Sequence, residues 1–525
     1  MKLFYLTAMA VAFCYTTKAQ DLSSTLHVSA GTTVTVSSGT KISTEEVNLK
    51  STSDSFACLF LNGDLDASTV VNYDRYVNVI GTSGENGGND LISLPVKTVA
   101  SATFADFLTY TDGLNANLTI IPNSPSLPTL FAFGPYNNTN QSYTNYNSAT
   151  DGGVILKRGV GYRAASYSGQ TVRFTGTVSK VSETVEISTT NNAWNSIGNP
   201  YPTFIDSQAF LSANSAVLDP NAVAIYAYNN GADTDIGAGT FGNFTIINGL
   251  TETVVNIAPG QAFLVANDPA DPTNIISFTT AMRTYEGTDD FILGRATNQN
   301  QMLRLQVENG TDDFATEIYY NANSTLGLDP GYDAILYNGV GYNLLVYSHL
   351  VENNLGKNMA IQSLGFDNQN DVSIPLGLKA AQGQQITFSI EASTLPSEIE
   401  VYLEDTQTNT FTLLNTNTYS FTANTAISGT GRFYLRFENS SLSTIDLNSE
   451  SIQIVASEQT LFINGALLAD TEVSIYDIQG RLVMSSLLKE ASDRNIIDAA
   501  SLSQGIYVVK LNNEEQQQIK KVIFK

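Results

Sequence analysis

Charge, histidine, cysteine and tryptophan are all scarce in this sequence. Charged residues fill 14% of its 525 positions, against about a quarter in ordinary domains, so long solvent-facing helices built on Lys and Glu are not its natural element. Its two histidines, His27 and His349, lie in different parts of the chain, which excludes a multi-histidine zinc site and argues against a Ser-His-Asp triad. No glycine-rich phosphate loop precedes a helix, and no basic stretch interleaves with aromatics. Lys and Arg number 25 against 50 Asp and Glu, a net charge of −25. Such a chain repels nucleic acid and anionic membrane surfaces. Nor does any apolar run reach the ~20 residues that a membrane-spanning helix needs.

The N-terminus carries Lys2, an apolar run from Leu3 to Phe13, and Thr17-Lys18-Ala19 with small residues at alternate positions. This pattern reads as a secretory signal peptide, residues 1–19, cleaved between Ala19 and Gln20. Cleavage removes Lys2, Lys18 and Cys14, making the chain more acidic and leaving Cys58 alone. An intramolecular disulfide is then impossible, even in an oxidising compartment. Cys58 itself has no histidine partner in the pattern and reads as a small buried apolar residue.

What the sequence does have is strand chemistry. Hydrophobic residues make up 42% and aromatics 10%, enough for packed cores, while Asn, Ser and Thr supply turn and strand-face polarity. The length implies three to five domains. Residues 20–85 give short alternating runs, such as Thr33-Val34-Thr35-Val36 and Cys58-Leu59-Phe60-Leu61, between Gly31, Gly39 and Gly63. They fit either the start of a β-solenoid or the first sheet of a sandwich.

An internal repeat follows, assigned to 86–188 and 189–298. Leu91-Ile92-Ser93-Leu94-Pro95 has a counterpart in Trp194-Asn195-Ser196-Ile197-Gly198-Asn199-Pro200-Tyr201-Pro202, and Leu130-Phe131-Ala132-Phe133 matches Ile225-Tyr226-Ala227-Tyr228. Gly159-Val160-Gly161-Tyr162 matches Gly260-Gln261-Ala262-Phe263, and Val172-Arg173-Phe174-Thr175 matches Ile276-Ser277-Phe278-Thr279. The four landmarks keep one order at offsets of 95 to 105 residues. Trp194, the lone tryptophan, opens a strand of the second copy as a core anchor or a sugar-stacking platform. Residues 299–440 alternate cleanly at Leu303–Val307, Gln385–Ile390 and Arg432–Phe437, which predicts an antiparallel sandwich. A Ser/Asn/Glu-rich linker at 441–451 precedes a last domain, 452–525. The fold class expected is all-β, a multidomain set of antiparallel β-sandwich modules with a duplicated pair.

In the last domain Val473-Ser474-Ile475-Tyr476-Asp477 runs into Ile478-Gln479-Gly480 and returns as Arg481-Leu482-Val483-Met484, a hairpin with glycine at its tight position. Gly505-Ile506-Tyr507 opens another strand, and the chain stops on Lys521-Val522-Ile523-Phe524-Lys525. These residues resemble the type A sorting domain of Bacteroidota type IX secretion substrates, which has an aromatic-Asp-x-x-Gly-Arg hairpin, a Gly-x-Tyr strand and a basic, apolar terminal strand. The chain departs from the family's frequent Pro-Asn-Pro opening, having Ile452-Gln453-Ile454 instead. The resemblance implies an Ig-like β-sandwich. Its sorting residues would be Tyr476, Asp477, Gly480, Arg481, Gly505, Tyr507 and Lys521, its partner the type IX machinery, and its destination the outer-membrane surface or the extracellular space after export through a Sec signal. The middle of the chain, more loosely, resembles surface proteins that flavobacteria export by this route.

For chemistry, only carboxylates remain. Gly287-Thr288-Asp289-Asp290-Phe291 and Gly310-Thr311-Asp312-Asp313-Phe314 repeat 23 residues apart, and Asp233 with Asp235 and Asp64 with Asp66 are further pairs. Of these, Asp289, Asp290, Asp312, Asp313, Asp233 and Asp235 are calcium candidates through clustered oxygens, although none has EF-hand spacing. Calcium is the one cofactor the sequence suggests. The preferred reading is a non-catalytic adhesin or structural surface component that contacts a glycan or other surface ligand through Pro135-Tyr136-Asn137-Asn138 and Tyr143-Thr144-Asn145-Tyr146. The alternative is a secreted carbohydrate-binding protein, or a glycoside hydrolase with an acidic pair.

Overall fold

A computed structural model describes residues 24–78, 89–98, 103–109, 117–189, 193–228, 244–250, 255–271, 273–285, 287, 301–337, 342–368, 372–439, 452–457, 459–465, 467, 469–489, 494–513 and 517–524. The described chain is built of strands, with a few helices of at most eight residues, so the all-β class holds. Among the described residues no helix is long and apolar enough to cross a membrane. Two compact units are present, one of residues 1–397 and 401–438 and one of 398–400 and 439–525.

The first unit starts with stacked parallel coils. Thr25–Val28 pairs parallel with Glu46–Lys50, which pairs parallel with Val70–Val77; Thr33–Val36 lies parallel on Cys58–Leu61 and Lys41–Ile42 on Asp64–Leu65. Successive coils stack strand on strand in parallel, with partners 21 to 25 residues apart, so β-solenoid geometry is the form that the short runs take. Val47, Leu49, Leu59 and Val71 point inward into one core with Phe104, Phe133 and Phe174 from the region after the coils. Asn72 stacks on Asn48, donating from Nδ2 to its Oδ1 at 2.8 Å. This side-chain ladder satisfies polar groups that the coil interior would otherwise strand.

The repeated landmarks fold alike. In the first copy the sheet runs Asp90–Ile92, Tyr162–Ala164, Phe133–Asn137, Ser142–Tyr143; in the second it runs Trp194–Gly198, Ala262–Ala266, Ile225–Tyr228, Phe244–Ile247. Both orders are first, third, second strand, then a hairpin partner. A short helix follows the first strand each time, Phe104–Thr109 and Ser207–Asn214, and buries Phe107 or Phe210 against Phe174 or Phe278. The two copies join through crossed, equivalent contacts. Ile92 bridges to Gln261 while Ile197 bridges to Val160, and Ser93 N donates to Gly260 O at 2.7 Å while Gly198 N donates to Gly159 O at 2.9 Å. The approach is close enough that a Cβ on Gly198 would sit 2.4 Å from the Ser93 Cβ. Only glycine fits there.

The region after the repeat forms an 11-stranded sheet. It is mainly antiparallel, with Asp313–Tyr320 and Met359–Leu364 paired parallel. It locks onto the second copy: Gly249 N donates to Gly331 O at 2.6 Å, Asn248 Nδ2 to Tyr332 O at 2.8 Å and Tyr226 OH to Ile335 O at 2.7 Å. Trp194 closes the joint, 6% exposed, with Tyr226 and Tyr337 edge-on at 4.7 and 4.9 Å. Of the two readings of Trp194, the structure takes the core anchor.

The second unit is a sandwich of seven strands, named here β1 (Gln453–Ser457), β2 (Thr460–Asn464), β3 (Thr471–Asp477), β4 (Leu482–Leu488), β5 (Arg494–Asp498), β6 (Gly505–Asn512) and β7 (Gln517–Phe524). One sheet has the order β1-β2-β5 and the other β4-β3-β6-β7. Ile454, Leu461, Ile463, Val473, Ile475, Val509, Leu511 and Phe524 alternate into the space between them.

Candidate functional site

The hairpin between β3 and β4 is built by its own sequence. Asp477 starts the turn: its carbonyl accepts from Gly480 N at 2.9 Å, and its N–H donates to Arg481 O at 3.0 Å. Its side chain caps the same loop, Oδ1 accepting from Gln479 N at 2.9 Å and Arg481 N at 3.0 Å, and Oδ2 from Arg481 Nε at 2.7 Å. Gly480 follows with φ +78°, the left-handed conformation that closes such a turn with a bulge. The register slips beside it, between Ile475 and Tyr476. The aromatic-Asp-x-x-Gly-Arg pattern is thus a turn-forming device. The N–H of Arg481, then its guanidinium, holds the Asp477 carboxyl below the usual carboxylate range.

Pairing gathers the remaining motif residues around this turn. Tyr476 lies across from Val508, Asp477 from Tyr507, Gly505 from Phe524 and Lys521 from Val508. Residues some forty positions apart in sequence therefore share one end of the sheet β4-β3-β6-β7. Their roles divide. Tyr507 is buried, its hydroxyl donating to Ser503 O at 2.9 Å and its ring meeting Phe524 edge-on at 5.5 Å, while Arg481 and Lys521 are exposed and Tyr476 is half-buried. Ala19 and Gln20, the expected cleavage pair, lie outside the described residues.

The acidic pairs go several ways. Asp289, Asp290, Asp233 and Asp235 lie outside the described residues. Asp312 and Asp313 belong to the turn between Gln301–Glu308 and Asp313–Tyr320, where Asp312 N donates to Asn309 Oδ1 at 2.7 Å and Gln306 Nε2 reaches Asp313 Oδ2 at 3.4 Å. Asp64 pairs with Lys180 and Asp66 with Lys41, which holds the Asp66 carboxyl low. Among the described residues no three His, Cys, Asp or Glu side chains converge as metal ligands. Cys58 is buried, and burial pushes its thiol up to about 11, far from a reactive thiolate.

The tyrosine- and asparagine-rich loops turn inward. Tyr143 OH meets Ser196 Oγ at 2.9 Å and its ring packs against Tyr136 at 5.2 Å. Asn138 Nδ2 donates to Trp194 O at 2.9 Å, Asn137 Oδ1 accepts from Thr139 N and Asn140 N, and Tyr146 packs on Phe104. Thr139, Asn140, Gln141 and Ser142 form the exposed tip.

One acid group that sequence reasoning passed over stands out. Asp333 is fully buried and accepts from Asp329 N and Ser363 N, both at 2.7 Å, and from Ser363 Oγ at 3.0 Å. Burial first, with Asp329 nearby, pushes its carboxyl up to about 7. Its partner Ser363 is 30 residues away, a separation that no local pattern spans.

Comparison with known proteins bears on both units. A family model described as a domain of unknown function, DUF8693, matches residues 7–437, and one described as a secretion system C-terminal sorting domain matches residues 450–525. No curated protein matches the chain. Among solved structures, a biofilm-associated protein BSP domain is similar at 8% identity over 66% of this chain and 92% of that one, with a TM-score of 0.14. PorZ, a bacterial surface component of the type IX secretion system of Porphyromonas gingivalis, is similar at 9% identity over 71% of this chain and 65% of that one, with a TM-score of 0.13.

Proposed function

Because the chain belongs to the DUF8693 family and ends in a type IX secretion sorting domain that directs it to the cell surface or the extracellular space, we propose that its body is a non-catalytic scaffold displayed there as a structural or adhesive component. The observation that carries this reading is how the aromatic and amide side chains are spent. Tyr143, Asn138, Trp194, Tyr226 and Tyr337 join modules to one another instead of lining a reaction site. Crossed contacts between the repeat copies and the interlock at Gly249 and Gly331 make stiff joints. That suits a protein that holds a shape under load outside the cell better than one that must open around a substrate. The carboxylates at Asp64 and Asp66 are paired with lysines, and those at Asp312 and Asp313 face the side-chain amides of Asn309 and Gln306, which favours the scaffold over an acidic-pair hydrolase.

The test is a pair of assays on secreted mature protein. A glycan array should report retention of a defined set of surface glycans or none at all, and incubation with a polysaccharide panel should release no reducing sugar. Sugar release that disappears with a single Asp→Asn or Glu→Gln substitution would overturn the scaffold and establish the hydrolase.

A further inference from the structure

The large apolar side chains left exposed among the described residues are concentrated in the C-terminal unit, which holds eight of nineteen, all between Ile478 and Ile523. Five of them share one surface. Leu482, Leu487, Ile506, Ile519 and Ile523, between 39% and 60% exposed, point outward from the sheet β4-β3-β6-β7. The register shows how they assemble. Ile506 lies across from Ile523, and beside that pair Leu482, Tyr476, Val508 and Lys521 form a row across all four strands. The next row is Ser485, Ser474, Lys510 and Ile519. On the solvent side of an antiparallel sheet, where polar residues belong, the Ile506–Ile523 pair and the row beside it are thus mostly apolar, with Lys521 at the row's end, and the next row adds Ile519 beside Lys510 and two serines.

Strand β7 sharpens the point. It turns Val522 and Phe524 into the core and leaves Ile519 and Ile523, 58% and 39% exposed, on the outward side with Lys521 between them. The apolar row also ends at the Asp477–Arg481 turn, so of the motif residues Tyr476 and Lys521 lie in it and Arg481 follows at its edge. Asp477, Gly480 and Tyr507 shape and brace the end of the sheet from which this face starts.

We propose that the outward face of β4-β3-β6-β7 is the surface by which the export machinery holds the sorting domain, and that its occupant is a protein offering an apolar strip edged by carboxylates. Charge selects that occupant. Lys521 lies in the apolar row and Lys510 in the next, and among the described residues of these strands Glu472 is the acid on this face, one row further on beside Leu487. A second copy would bring the same two lysines against each other, a like-charge contact that disfavours self-pairing. A carboxylate-edged partner neutralises them and covers the isoleucines at once. This assignment rests on the sorting reading of the domain.

The experiment expresses the full chain in a bacterium with an active type IX system and measures surface-plus-medium against periplasmic protein. Four forms are compared: the unaltered chain, a chain lacking residues 450–525, Ile506→Glu with Ile523→Glu, and Lys510→Glu with Lys521→Glu. Each double variant should keep the melting temperature of the unaltered protein and lower the exported fraction at least about tenfold, the factor that loss of ~1.4 kcal/mol of binding produces. If the glutamates at 506 and 523 impair folding, Ile506→Thr with Ile523→Thr keeps the β-branched strand residues and should give the same block. Folded double variants exported within twofold of the unaltered chain, while the truncated chain is retained, would overturn the face and leave the sorting reading standing. Export of the truncated chain would overturn the sorting reading itself. A concentration-dependent dimer of the purified protein that Ile506→Glu with Ile523→Glu abolishes would make a second copy the occupant and also overturn the proposal.

Discussion

At the scale of single residues, the most specific signals come from side chains that serve a backbone. Gly480 holds φ +78° in a turn whose other bonds come from Asp477, and an alanine there must adopt a conformation that costs an L-residue about 1 kcal/mol. Gly480→Ala should therefore lower unfolding stability by about that much and shift the urea midpoint of the C-terminal unit's transition, leaving the body's transition in place. Asp333 gives the opposite kind of signal, a carboxyl whose environment favours its protonated form. Its folded pKa, about 7, lies above the ordinary value near 4, so between those limits the folded state holds a proton that the unfolded state has released. Stability consequently falls as pH rises across that window and levels off above it. Melting temperatures from pH 5 to pH 8 should show this decline in the unaltered protein and a flatter profile in Asp333→Asn, which cannot ionise. A slope unchanged by the substitution would assign the pH dependence elsewhere.

At the scale of elements, the duplication goes deeper than the strand landmarks. Asn117 donates to Phe107 O and Arg173 O and accepts from Arg173 N, and Asn214 donates to Phe210 O and Ser277 O and accepts from Ser277 N. Each is a buried amide that clamps the helix of its copy to the strand carrying Phe174 or Phe278. Truncation leaves backbone groups buried without partners, so Asn214→Ala should cost about 2 kcal/mol or more, read as a drop in thermal midpoint. These clamps were not legible in the sequence, because they join residues 56 or 63 positions apart and an isolated Asn looks like any turn residue. The strands themselves were legible, since Val, Ile and aromatic residues alternate and Gly or Pro stops each run. The parallel stacking of the first coils was not, because Thr33–Val36 alternates in the same way whether its neighbour runs parallel or antiparallel. The β3–β4 hairpin was the most legible element, since Asp477 and Gly480 fix a turn through contacts within five residues.

At the scale of the whole molecule, the chain divides its labour between a body and an address. The body joins parallel coils, a duplicated pair and a large sheet through buried aromatic and glycine contacts at Trp194, Gly198 and Gly249. The C-terminal unit has its own core and places Tyr476, Asp477, Gly505 and Tyr507 at one end of one sheet. The core of that sandwich is separate from those of the body. The sorting domain therefore reveals nothing of what the body contacts. The most direct measurement is the distribution of the chain lacking residues 450–525, by immunoblot of periplasm, surface and medium, beside the full-length chain. The truncated chain should accumulate in the periplasm while the full-length chain reaches the surface or the medium; equal distributions of the two would contradict the account.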